Sequence, residues 1–147
     1  MAAPDFPALL ATFLTTYLPR TRGCAVNTIR SYRDTFVLLI RYLASEHSTD
    51  PNKIGFADLS LDRIEMFSMW LGEERGSAPS TVNQRLAAIK SFLRFAQTKA
   101  PELISSTRPV LAMTAKRTPH PEIDYLTIEA IKLLLAHAKT NGDLRDL

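Results

Sequence analysis

The 147-residue chain has a single cysteine, Cys24, so no internal disulfide can form and a reducing interior is the natural setting. No uninterrupted apolar run approaches the roughly 20 residues that a membrane-spanning helix needs. The opening "MAAPDFPALL" lacks a basic leader and carries Asp5 and Pro7, which argues against a secretory signal and for the cytoplasm. Glycine is scarce, and no Gly-rich phosphate loop occurs. His47, His120 and His137 are far apart and lack metal-ligand spacing. No Ser-His-Asp set or carboxylate pair stands out, so neither a metal nor another cofactor is expected. Sustained apolar/polar alternation is also absent, which leaves no half-buried strand. The most informative absence is local: from Arg75 to Lys99 there is not one acid.

What is present is sorted by segment. The formal net charge is only +3, a weak sign of nucleic acid by itself. Twelve of the eighteen basic residues are arginine, however, the side chain whose planar fork suits phosphates and guanine edges. Arg20, Arg22, Arg30, Arg33 and Arg41 face the single acid Asp34, and Arg75, Arg85, Lys90, Arg94 and Lys99 face none. From Asp58 to Glu74, between these stretches, Asp58, Asp62, Glu65, Glu73 and Glu74 oppose only Arg63. Such sorting is expected where two segments share a basic face and a third lies behind it.

Hydrophobic residues, 46% of the chain, recur with helical periodicity. A first helix is predicted from Pro7 to Leu18, closed by Pro19 and Gly23. A second is predicted from about Asn27, as N-cap, to Ser45, with Ile29, Tyr32, Phe36, Leu39, Ile40 and Leu43 inward. A loop rich in turn formers separates it from a third helix, which begins after Ser60, reaches Arg75, and ends at "GSAPS". The fourth, "STVNQRLAAIKSFLRFA", is capped by Ser80 or Thr81 after Pro79 and buries Val82, Leu86, Ile89, Leu93 and Ala96. Its other side carries Asn83, Gln84, Ala87, Lys90, Ser91 and Arg94. After Pro101 the prolines at 109, 119 and 121 suggest an extended connector with at most a short helical turn at its start. A last helix, capped by Thr127, has nothing of its own to bury against and looks like the first element of a further domain.

Three stretches resemble the tyrosine recombinases, the phage-integrase family. "NTIRSYRDTFVLLIRYL" is similar to that family's second helix, "STVNQRLAAIKSFLRFA" to its fourth, and "KRTPHPEIDYLTIEAIKLLLAHA" to its basic linker and the helix opening its catalytic domain. The resemblance implies an all-α fold, a four- to five-helix SAM-like core-binding bundle over residues 1–106, an extended basic linker over 107–124, and the start of a catalytic domain over 125–147. It implies double-stranded DNA as partner, with the second and fourth helices crossing the major groove of a recombination half-site. The helix starts place Thr28, Arg30 and Ser31, and Ser80, Thr81, Asn83 and Gln84, at that groove. Arg108, Lys116 and Arg117 would follow the backbone. Arg33, Arg85, Lys90 and Arg94 join this set as bases on the same helices.

The family's strand exchange runs through a 3′-phosphotyrosyl intermediate without metal, and on DNA its members form a homo-tetramer through their outer helices. Its catalytic residues lie beyond the segment matched here. Tyr17, Tyr32, Tyr42 and Tyr125 match no nucleophile position and Arg145 falls too early for the first catalytic arginine, so this chain by itself is not expected to cut DNA.

Blander readings stand beside this one. A basic flank is more often solvated than bound, and Arg30 and Asp34 are spaced i, i+4 for a surface ion pair. Against that, small Ala87 and Ser91 allow close approach of the backbone to phosphate, helix N-termini supply further donors, and Asn or Gln can pair with adenine. Met66, Met69 and Trp70 suit core or a partner-facing edge, and Cys24 a passive position. A DNA-binding regulator without a catalytic half and a helical protein-interaction module remain as alternatives.

Overall fold

A computed structural model describes residues 4–115, together with residues 132, 133, 135 and 136. The described part is all-α, with no strand among the described residues. The chain divides into two compact units, residues 1–116 and 117–147, and the first holds the bundle. The expected helix from Thr127 lies outside the described residues save for 132, 133, 135 and 136, which are helical.

Helix α1 covers Phe6–Thr12 and is capped by Asp5, whose carboxylate accepts from the Ala8 N–H at 3.2 Å. It runs on as a wider π-type coil over Phe13–Thr21 with Pro19 inside. The sequence predicted a stop at Leu18. The widened turns instead relieve the clash between the proline ring and the preceding turn, so the chain stays coiled past it. Helix α2 covers Val26–Glu46 and follows Ala25, which is extended and offers no side-chain cap. Asn27, the expected cap, is thus one residue inside the helix.

Helix α3, Leu61–Glu73, starts as predicted, with Ser60 Oγ accepting from the Arg63 N–H at 3.3 Å. Helix α4 covers Pro79–Lys99, and its N-cap is Ala78 rather than Ser80 or Thr81. A proline needs no partner at the first helical position and holds the residue before it extended, so Pro79 sets this start without a capping side chain.

The largest departure follows Pro101. Residues Ile104–Leu111 form helix α5, where an extended linker from 107 was expected. Ser105, Ser106, Thr107 and Pro109 carry turn-former signals, but tertiary burial overrides them. Thr107 and Val110 are buried, Thr107 Oγ1 donates to the Leu103 carbonyl at 2.7 Å, and Gln97 Nε2 donates to Thr107 Oγ1 at 2.7 Å from α4.

Helix α4 packs against α2, α3 and α5 and forms the axis of the core. Its Phe92, fully buried, meets the rings of Phe6, Phe13, Phe36 and Phe56 at centroid separations of 5.6, 5.4, 5.3 and 5.8 Å. Three helix exits share one turn: a residue of positive φ (Gly23, Ser48 and Gly76), followed by an amide bonded back to Leu18, Leu43 and Leu71 respectively. Glycine adopts that conformation without strain, which explains how Gly23 and Gly76 end their helices.

At the far end of α2, the buried Tyr42 hydroxyl lies 2.8 Å from His47 Nε2. Burial, and then the Glu46 carboxylate, push its pKa above the ordinary 10.0, with Arg63 opposing. The folded state therefore holds this proton more tightly than the unfolded chain. The contribution is complete below pH 10 and is lost as pH rises through the folded pKa. Denaturant midpoints measured across that range should fall with pH, and Tyr42→Phe should remove this component of the slope.

Candidate nucleic-acid interface

Helices α2 and α4 both lack an acid in their first turn. Along α4 the buried positions Val82, Leu86, Ile89, Phe92, Leu93 and Ala96 leave the opposite flank outward. Ser80, Gln84, Ala87 and Arg94 are exposed there, and Thr81, Asn83 and Ser91 are half-buried. Residues 80, 84, 87, 91 and 94 are spaced by three or four, which lines them along one face of the helix. Ala87 in its middle has no side chain beyond Cβ to hold a ligand away.

The coil after α1 adds a residue that the sequence did not single out. Arg22 is exposed, and its Nη1 donates to Ser91 Oγ at 3.3 Å, which sets its guanidinium on the outward face of α4 next to the turn carrying Arg94. The available signal was the run of bases from Arg20 to Arg41. It shows an acid-poor segment but not which helix that segment lies against.

Two of the expected site residues serve first as struts. Arg85 is half-buried and its Nη1 donates to the Ser31 carbonyl at 3.1 Å and to Thr35 Oγ1 at 3.2 Å. Thr35, itself buried, donates onward to the Ser31 carbonyl at 3.1 Å. This network ties the N-terminal halves of α2 and α4 together and brings their acid-free starts to one end of the bundle. Lys90 Nζ donates to the Met113 carbonyl and ties the chain beyond α5 back to α4. Arg85→Ala is expected to destabilise the domain by about 1–3 kcal/mol, because Thr35 loses a partner in a buried site. Arg94→Ala, on the solvent side, should stay within about 0.5 kcal/mol of the parent. Denaturant titration of both variants distinguishes strut from surface.

On α2, Thr28, Arg30, Ser31 and Arg33 are all exposed. They divide between two flanks. Thr28 and Ser31 share the side of Thr35 that faces α4, whereas Arg30 and Arg33 line a shallow concavity of about 200 Å³ with Val26 and Ile29. Arg30 does not pair with Asp34: among the described residues the one ion pair joins Arg63, in the first turn of α3, to Asp58 in the loop before it at 3.2 Å. Arg108 is exposed on helix α5, not on an extended linker. Lys116 and Arg117 lie outside the described residues.

Among the described residues no cluster of three histidine, cysteine or acidic side chains is placed to hold a metal. No helix among them is long and apolar enough to cross a membrane. The outward face of α4 offers hydrogen-bond donors, amides and arginine without an acid, whereas on α2 Asp34 is exposed one turn from Arg30, and Asp62, Glu65, Glu73 and Glu74 gather on or just after α3.

The sequence profile of the family described as "Phage integrase, N-terminal SAM-like domain" matches residues 12–99. Among curated proteins, the chain is 32% identical over 128 residues to a Sinorhizobium fredii protein named as an integrase/recombinase, y4rC, which covers 87% of this chain and 39% of that protein. A second such protein of the same organism, y4rD, is 32% identical over 121 residues, covering 80% of this chain and 43% of its own length. Tyrosine recombinase XerC of Caldanaerobacter subterraneus is 26% identical over 148 residues, with coverages of 92% and 41%. The chain thus spans about two fifths of the curated relatives it matches. No solved structure gives a significant match.

Proposed function

The chain belongs to the tyrosine recombinase (phage-integrase) family, whose N-terminal SAM-like domain it carries, and on that premise we propose that it grips double-stranded DNA through α4 and the start of α2. The observation that carries this reading is the outward face of α4: no acid, a small residue at its centre, Gln84 toward its start, Arg94 in its second half, and Arg22 bonded to Ser91 one turn before Arg94. Arginine and the free N–H groups of the first turn suit phosphate oxygens, whereas Asn83 and Gln84 suit base edges. Thr28, Arg30, Ser31 and Arg33 extend the contact along α2, with Ser80, Thr81, Arg85 and Lys90 at its margins. Arg108, Lys116 and Arg117 accompany the strand as it leaves the domain.

In the whole protein this domain would hold a recombination half-site while a catalytic domain, opening within residues 125–147, carries out strand exchange through a 3′-phosphotyrosyl intermediate. A homo-tetramer on DNA follows from the same reading. The gripping domain then runs past residue 106 to the end of α5 at Leu111, and the linker to the catalytic domain begins after it.

A photo-crosslinking side chain placed at Ala87 tests the surface directly. It should capture duplex DNA on irradiation, while the same group at Met66, on α3, should not. Equal capture at both positions, or capture only at Met66, would remove α4 from the interface.

A further inference from the structure

We propose that the outer face of α3, together with the end of α2, docks a cationic amphipathic helix of another protein. Three observations converge there. Met66 and Met69 are 49% and 53% exposed, one helical turn apart, on the side of α3 opposite the buried Ile64, Phe67 and Leu71. With Tyr42, Glu46, Trp70 and Glu73 they line a groove of about 210 Å³. The surroundings are acidic: Glu46, Glu65, Glu73 and Glu74 are exposed, and none of them belongs to the ion pair found among the described residues. Finally, the Arg75 guanidinium lies 5.8 Å from the Trp70 ring centroid, so the chain's own cation already occupies an aromatic face at the edge of this groove.

These features fix the chemistry of the occupant. Methionine side chains re-pack around varied apolar shapes, which suits a helix laid into a groove by residues spaced three and four apart. Carboxylates along the rim repel phosphate, so nucleic acid and anionic lipid are excluded and a lysine- or arginine-bearing segment is favoured. An aromatic face flanked by acids attracts a guanidinium or ammonium in the same way that it holds Arg75. In the bundle, the exposed pairing of apolar side chains with arginine around Val26, Arg30 and Arg33 lies in the surface assigned to DNA, so on that reading it is engaged elsewhere and the occupant is a different protein; a second copy of this chain is an outcome of the test. The groove shares no residue with the surface assigned to DNA, and only the choice of a different protein over a second copy rests on that reading.

The test uses the purified chain and a fluorescently labelled synthetic helix of leucine and lysine, with a leucine–glutamate helix as control. Trp70 is the only tryptophan, so its emission reports occupancy of the groove, and anisotropy of the label gives affinity. A saturable change is expected with the lysine helix alone, and Glu73→Lys/Glu74→Lys should weaken it by about tenfold or more. Lysine near a helix C-terminus complements the helix dipole, so the double variant should fold, with circular dichroism as the check. Absence of saturation, an equal response to the glutamate helix, or unchanged affinity in the double variant would overturn the proposal. Sedimentation without peptide should show a monomer. A dimer dissolved by Met69→Asp would overturn it as well, by making a second copy the occupant.

Discussion

Phe92→Ala is expected to remove about 3–5 kcal/mol of stability, the range for truncating a buried aromatic side chain. Phe92 stands at the upper end of that range because its ring meets four others, each contributed by a different part of the chain: α1 through Phe6, the π-type coil through Phe13, α2 through Phe36 and the loop before α3 through Phe56. No single neighbour can move in to fill the space without leaving its own site. Small domains have total stabilities of about 5–15 kcal/mol, so the variant should be marginally folded at room temperature. Denaturant unfolding followed by circular dichroism gives the difference. A loss below about 1 kcal/mol would mean that the surrounding rings collapse onto the cavity, contrary to a core organised around α4.

The second large effect concerns function. Arg22→Glu/Arg94→Glu is expected to lower duplex affinity by about a hundredfold at moderate salt, since two phosphate contacts become repulsive. Both side chains are exposed, and Arg22 gives up only its bond to Ser91, so the double variant should unfold close to where the parent does. Competition binding on one duplex, with unfolding curves run in parallel, separates loss of contact from loss of fold. Retention of full affinity by a folded double variant would exclude this face from DNA contact.

Much of the fold was legible in the sequence because its signals are local and periodic. The burial stripe of α4 follows from the spacing of Val82, Leu86, Ile89, Leu93 and Ala96, and Ser60 announces α3. The caps of α2 and α4 fall two or three residues before the expected ones because Ala25 and Ala78 begin these helices through backbone geometry, without a side chain to mark the place. Helix α5 was hidden because its residues favour turns in isolation, and it is held by a glutamine on another helix and by burial of Thr107 and Val110.

The candidate site was legible as an acid-free face but not as a division of labour. Nothing in the local pattern distinguishes Arg85, which reaches across to Ser31 and Thr35, from Arg94, which reaches solvent. Nor does sequence place Arg22 against Ser91, 69 positions away. Those assignments depend on which helices touch, which is a property of the packed bundle.

The central claim, that the α4 face meets duplex DNA, is tested most directly by the salt dependence of duplex binding by this chain and by its Arg94→Ala variant. Log K is expected to fall linearly with log salt, by about 0.9 for each phosphate contacted, and the variant's slope to be shallower by about one contact. No binding at low salt, or a slope that Arg94→Ala leaves unchanged, would contradict it.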